Sequence, residues 1–334
     1  MNRRGLQWGS AACASALLAA CNTVQSALAP VADESRAIER VWDLMLWICG
    51  PMYALVLLAL GYALWRNRGN GHGRAGDRAL WFGLLGFSVL TAGLLTVLTA
   101  QSYVQDRRLH APVVDPVNVR ITAKQWWWQV EYLDADATHD FTTANELHLP
   151  VDRPARIELR SGDVIHSVWI PLLDGAQDLV PGRVDTITMT PRQVGRYRGR
   201  CAAFCGLQHA HMALDVRVDD ASGFAAWQAR QRAPASPPAA RSTIAGRNDF
   251  RAVGCATCHA IDGSGIAAGS VIGPDLTHLA SRPSLAAGAM PLDRSTLETW
   301  IVDPQRHKPG TTMPTVALTP EQRSDIADYL MSLD

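Results

Sequence analysis

The sequence predicts a multidomain membrane protein in three parts: a two-helix transmembrane hairpin, an all-β sandwich and a small all-α domain. Three observations predict it. Two long charge-free stretches stand close together in the first hundred residues, short β-prone runs between turn formers fill residues 115 to 220, and helix signals dominate 244 to 334. At 334 residues the chain has room for two or three compact units. Its 31 basic and 31 acidic residues cancel, which speaks against nucleic-acid binding. A hydrophobic share of 48% excludes a disordered chain.

The charge-free stretches Leu44–Leu64 and Ala79–Tyr103 can each cross a hydrocarbon core of about 30 Å as a helix. Spanning helices are therefore expected at about 41–65 and 79–103, within an N-terminal part covering 21–110. Between them, Arg66, Arg68, Arg74 and Arg78 face a single acidic residue, Asp77, which places this loop in the cytoplasm and the rest of the chain outside it. The start agrees with that orientation. Arg3-Arg4, a short apolar run and small residues describe a secretory signal over 1–20. Leu18-Ala19-Ala20-Cys21 resembles the lipobox of bacterial lipoproteins, in which Cys21 becomes the lipidated first residue. An ordinary signal peptide with a chance cysteine is the alternative. The implied location is the bacterial cytoplasmic membrane, with two passes and the later domains on the periplasmic side.

Strands are expected at Val117–Ala123, Trp126–Tyr132, Ala155–Arg160, Val164–Ile170, Thr186–Met189 and Leu214–Val218, with turns at Pro150, Ser161-Gly162 and Pro181-Gly182. Gln228–Thr243, with Pro234, Pro237 and Pro238 among alanines and arginines, reads as a flexible or semi-extended linker. Beyond it, one helix is expected before Cys255. Another is expected over Ser295–Val302, with Ser295 and Glu298 as a capping box, and a last one over Pro320–Leu330.

Cys201, Cys205, His209 and Met212 follow one another at spacings of four, four and three. Soft thiolate and thioether donors with imidazole suit copper. A second thiolate allows two bridged coppers sharing one electron, and each copper then needs an imidazole. His166, on the strand expected upstream, is the natural second one. A simple disulfide between Cys201 and Cys205 is the competing reading in an oxidising compartment.

This block resembles subunit II of haem–copper cytochrome c oxidases, with its binuclear CuA centre in a cupredoxin domain. The resemblance extends to Gln125-Trp126-Trp127-Trp128-Gln129-Val130-Glu131-Tyr132, to Asp178-Leu179-Val180-Pro181-Gly182-Arg183 and to the helix hairpin. It implies that Cys201 and Cys205 bridge the coppers and that His166 and His209 ligate one each. It also implies that Met212 and the Ala203 carbonyl are axial ligands. Trp126 would take electrons from docked cytochrome c. His211 is off the ligand spacing, and His110, His139 and His148 are expected to be structural or solvent-facing. The family usually has glutamate where Ala203 stands, with its carboxylate reaching a magnesium ion at the contact with subunit I. A copper site beside a weakened magnesium site is therefore expected here, unless Asp178 or water fills the gap.

Cys255-Ala256-Thr257-Cys258-His259 is the attachment pattern of a c-type haem, with His259 as the proximal ligand. Gly310-Thr311-Thr312-Met313-Pro314 resembles the methionine loop of class I cytochromes c, which makes Met313 the sixth ligand. Met290, His278 and His307 are rivals. In that family the Pro274 carbonyl accepts the proximal imidazole's hydrogen bond, and Gly246, Phe250 and Tyr329 join the first and last helices.

The two resemblances imply the caa-type subunit II of a cytochrome c oxidase, an oxidoreductase and translocase. Electrons would pass from a donor cytochrome c through haem c and CuA to subunit I, where oxygen is reduced with proton pumping. Partners would be subunit I, the other oxidase subunits, the donor and the membrane. Alternatives are the electron-input subunit of a CuA-containing nitric oxide reductase, a copper-free quinol-oxidase subunit II, which the intact donor set opposes, and a stand-alone membrane electron carrier.

Overall fold

The computed structural model describes residues 25–67, 77–109, 111–266 and 272–334. The expected signal, Cys21, His110 and most of the basic loop lie outside the described residues. Contacts divide the chain into two compact units, Glu34–Pro112 and the remainder.

The first unit is built on α1 (Asp33–Asn67) and α2 (Asp77–Leu109), both long and apolar enough to cross a membrane. Both run past the expected spans, α1 upstream through Asp33-Glu34-Ser35-Arg36 and α2 downstream to Arg107 and Arg108. Basic groups in a last turn complement the carbonyl end of the helix dipole. The hydroxyls of Thr91, Thr96 and Thr99 donate to carbonyls one turn earlier, so these polar groups need no water.

In the second unit, ten strands form two five-stranded sheets. One has the order β3 (Phe141–Ala144), β2 (Trp127–Leu133), β1 (Val117–Lys124), β5 (Ala155–Ser161), β8 (Asp185–Met189). The other runs β4 (Glu146–Pro150), β10 (Ala213–Asp219), β9 (Gly195–Cys201), β6 (His166–Trp169), β7 (Ala176–Leu179). Alternation buries one side of each strand. Val119, Ile121, Ile157 and Leu159 of the first sheet and Leu147, Leu149, Leu214 and Val216 of the second share a single core. Strands β3, β4, β7 and β9 carry no sequence signal strong enough to expect. β9, Gly-Arg-Tyr-Arg-Gly-Arg-Cys, is an example: its arginines face out while Tyr197, Gly199 and Cys201 face in. A Cβ on Gly199 would stand 3.0 Å from Ile170 Cγ1.

Next come α3 (Ala221–Gln231), α4 (Arg241–Ala252), the short pair β11 (Ser284–Leu285) and β12 (Met290–Pro291), α5 (Arg294–Val302), α6 (Pro304–His307) and α7 (Pro320–Leu330). Helices α4 and α7 meet at Gly246, where a Cβ would fall 1.9 Å from the Asp325 carbonyl oxygen. Phe250 and Tyr329 pack edge to face beside it, as expected. Helix α7 opens with a reciprocal box between Thr319 and Gln322. The expected Ser295–Glu298 box does not form. Asp293 is the cap, accepting from the Thr296 amide, and Ser295 lies inside the helix.

The linker expected over Gln228–Thr243 is corrected by the structure. Its start belongs to α3, whose Phe224 and Trp227 join the sandwich core, and its end belongs to α4. The residues between are tied down as well. Arg232 donates to Asp134, the Ala235 amide to the Asp262 carbonyl, and the Ala233 carbonyl faces His278 Nε2 at 3.0 Å. Buried anchors on both sides leave no free tether.

Candidate functional site

Sheet pairing places the first donors. β6 opens with His166, β9 closes with Cys201, and the two strands pair with Val168 opposite Cys201. The loop from β9 to β10 brings back Cys205, His209 and Met212. Cys201 Sγ lies 3.8 Å from His166 Nδ1 and 3.8 Å from Cys205 Sγ, and Cys205 Sγ lies 3.7 Å from His209 Nδ1. The Ala203 carbonyl oxygen is 3.2 Å from Cys201 Sγ, and Met212 is fully buried. Both thiols are free, at nearly twice the disulfide bond length of about 2.05 Å, which removes the disulfide reading.

Burial pushes the Cys201 thiol up, but hydrogen bonds with His166, the Ser167 main chain, His209 and Cys205 outweigh it and hold the group lowered to about 7. Cys205 goes the other way, raised to about 12 by burial and by the neighbouring Cys201. Two buried thiols, two imidazoles and a carbonyl converging here fit a pair of soft cations that would deprotonate both sulfurs.

Asp163, which the sequence reading did not single out, supports this set. Its carboxylate faces His166 Nε2 at 2.8 Å and accepts from the Gln125 amide at 2.6 Å. The imidazole is thereby held with Nδ1 toward the sulfurs, the role outer groups play around metal-bound histidines. Its position three residues before a candidate ligand was the available signal. His211 turns its Nδ1 to Gln208, and His148 stacks on Trp227 and pairs with Asp219, so neither joins the donors.

An open cavity in the helical domain is lined by Cys255, Cys258, His259 and Met313, with Trp126 and Trp127 of the sandwich on its wall. His259 Nδ1 contacts the Pro274 carbonyl at 2.8 Å, which leaves Nε2 for an iron. Burial outweighs that bond and lowers the His259 pKa, favouring the neutral imidazole a metal needs. Gly273 is required beside it, since a Cβ there would stand 2.7 Å from the ring. Two thiols, an oriented imidazole and a thioether around this cavity fit a porphyrin attached through two sulfurs. Met290 packs against the helical core rather than lining the cavity, and both His278 nitrogens face carbonyls. His307, at the end of α6, is not on the wall either.

Trp126 stands between the two donor sets. Its Nε1 donates to the Cys205 carbonyl at 2.9 Å, and its ring lines the cavity. Only 6% of the residue is exposed, because the helical domain covers it. In this fold the chain's own second domain lies over that ring. Lys308 of the helical domain reaches across, 2% exposed, with its Nζ against the carbonyls of Trp126, His211 and Ala286. Burial lowers its pKa to about 7, while the third of these carbonyls is satisfied only when the amine keeps its third proton.

Residues 129–218 match the family described as cytochrome c oxidase subunit II, periplasmic domain, and residues 244–334 match cytochrome c. Cytochrome c oxidase subunit 2 of Alkalihalophilus pseudofirmus is 33% identical over 218 residues, 65% of this chain and 61% of that protein. The Bacillus subtilis subunit is 27% identical over 228 residues, 66% of this chain and 63% of that protein. The chain thus spans a little over three-fifths of these relatives' length. The crystal structure of the periplasmic domain of subunit II from Bradyrhizobium japonicum shares 27% identity at a TM-score of 0.34, covering 36% of this chain and 96% of that one. One chain thus matches both family models, the subunit II periplasmic domain first and cytochrome c after it.

Proposed function

We propose that this chain, a subunit II copper-type domain joined to a cytochrome c domain, is the electron-accepting subunit of a cytochrome c oxidase that reduces oxygen to water and pumps protons. Bound binuclear copper and one covalently attached haem would supply the one-electron chemistry. Cys201 and Cys205 would bridge the coppers, with His166, His209, Met212 and the Ala203 carbonyl completing the set. Cys255 and Cys258 would hold the haem, with His259 and Met313 on its iron. Met ligation raises an iron's potential, as a carrier feeding an oxidase needs.

The observation that carries this reading is Trp126, in contact with Cys205 on one side and on the other with the cavity lined by Cys255, Cys258, His259 and Met313. A donor cytochrome c would then meet the helical domain rather than the tryptophan, and subunit I would take electrons from the copper domain. The hairpin α1–α2 would anchor both domains on the periplasmic side of a bacterial membrane, with lipidation of Cys21 as a second anchor. Isolating the complex through this subunit and supplying reduced cytochrome c tests the reading: oxygen consumption supports it. Turnover of nitric oxide in place of oxygen, or isolation of the chain without other subunits, would replace it with one of the alternatives.

A further inference from the structure

We propose that Lys308 is a positioning residue that locks the helical domain onto the copper-type domain and fixes the Trp126 main chain between the two cofactor sites. The inference rests on the functional reading above. An ammonium has three donors and no acceptor. Lys308 Nζ spends all three on main-chain carbonyls: Trp126 at 2.7 Å, His211 at 2.8 Å and Ala286 at 2.8 Å. These belong to the turn before β2, to the copper-ligand loop and to the β11–β12 turn of the lysine's own domain. One cation thus ties the segment carrying Trp126, the segment carrying His209 and Met212, and the helical domain at a single point. Its neighbours reinforce the seam. The Pro309 carbonyl accepts from Gln208 Nε2 at 2.8 Å, and the Ala213 amide donates to the Ala287 carbonyl at 2.9 Å.

The arrangement is selective for lysine. A buried polar group must be paired, and three converging carbonyls need a compact point donor, whereas the planar guanidinium fork of arginine cannot converge on them. Lys308 lines the cavity but has no donor left for a haem carboxylate, so its role is toward the protein seam rather than the porphyrin.

The test compares Lys308→Met and Lys308→Gln with the parent and with Arg198→Ala, which removes only a peripheral 3.5 Å contact to the Gly288 carbonyl. Each is purified as the full chain in its complex. Amide hydrogen exchange around Trp126 and over residues 232–240 is read first, and it needs no cofactor. Electron transfer from haem to copper after rapid photoreduction is read second, alongside the separate haem and copper spectra. Both lysine variants should exchange faster at these segments and transfer electrons about tenfold more slowly or worse, as the docked population falls. Their separate spectra should be unchanged, and Arg198→Ala should match the parent. Parent-like exchange and transfer in either lysine variant overturns the proposal. Loss of both spectra in both variants overturns it in favour of a folding role. A parent chain without haem-to-copper transfer would instead count against the functional reading, leaving the exchange result to decide on Lys308.

Discussion

Replacing Asp163 with alanine should weaken copper binding without touching a copper ligand. The carboxylate faces His166 Nε2 at 2.8 Å and accepts from the main-chain amides of Gln125 and Val164, each at 2.6 Å. The His166 side chain is wholly buried, whereas Asp163 is about one-third exposed, so water entering where the carboxylate stood recovers part of the loss. Leaving a buried donor unpaired costs about 1–3 kcal/mol. At about 1.4 kcal/mol per decade, that corresponds to roughly a fivefold to hundredfold loss of affinity. A loss of about tenfold to hundredfold is typical when an outer-shell partner of a metal-bound histidine is removed. Competition of the purified complex against a graded series of copper chelators reads the effect, with Asp163→Asn as an intermediate case. Copper retention within about twofold of the parent in Asp163→Ala would refute the claim that this carboxylate orients His166.

Further outcomes follow from the same geometry. Met313→Ala should abolish the weak red-edge absorption band of oxidised methionine-ligated haem, while Met290→Ala, which alters a core residue off the cavity wall, should leave it. Trp227→Ala should destabilise the sandwich by about 3–5 kcal/mol in chemical unfolding. It should also speed proteolysis at 232–240, because this ring packs on Tyr132, Phe141 and His148 and anchors α3. Cells grown with manganese should yield a complex with a weak or rearranged manganese signal, since position 203 offers no carboxylate; Ala203→Glu should strengthen it, and a tightly bound signal that the substitution does not strengthen would contradict this.

The proposed donor sets could be read from the sequence because most of each lies in a short segment whose spacing carries the chemistry. Five of the six proposed copper donors fall within Cys201–Met212, and three of the four proposed haem-binding residues within Cys255–His259. His166 could be placed because a β-prone run reaches the same end of the sandwich. Helix α7 was legible from Pro320 and its capping residues. The contact between domains was not. Residues 228–243 have a linker's composition, and composition does not reveal that Trp227 and Ala235 find cores to enter. Lys308, beside Pro309-Gly310, reads as an ordinary surface charge. It is buried only because carbonyls 182, 97 and 22 residues away in sequence meet at one point. Strand β9 was missed for a related reason: three arginines and two glycines mask a strand whose inward positions are supplied by Tyr197, Gly199 and Cys201.

In the proposed function this one chain carries a thiolate-bridged copper pair and a covalently held haem in a single folded unit. Electron paramagnetic resonance of the purified complex, combined with intact mass measurement of this chain after denaturation, tests it most directly. The expected result is hyperfine splitting shared equally by two copper nuclei, and a mass raised by one haem that survives denaturation. Splitting from a single copper nucleus, or a haem-free chain whose Cys255 and Cys258 still react with a thiol reagent, would contradict it.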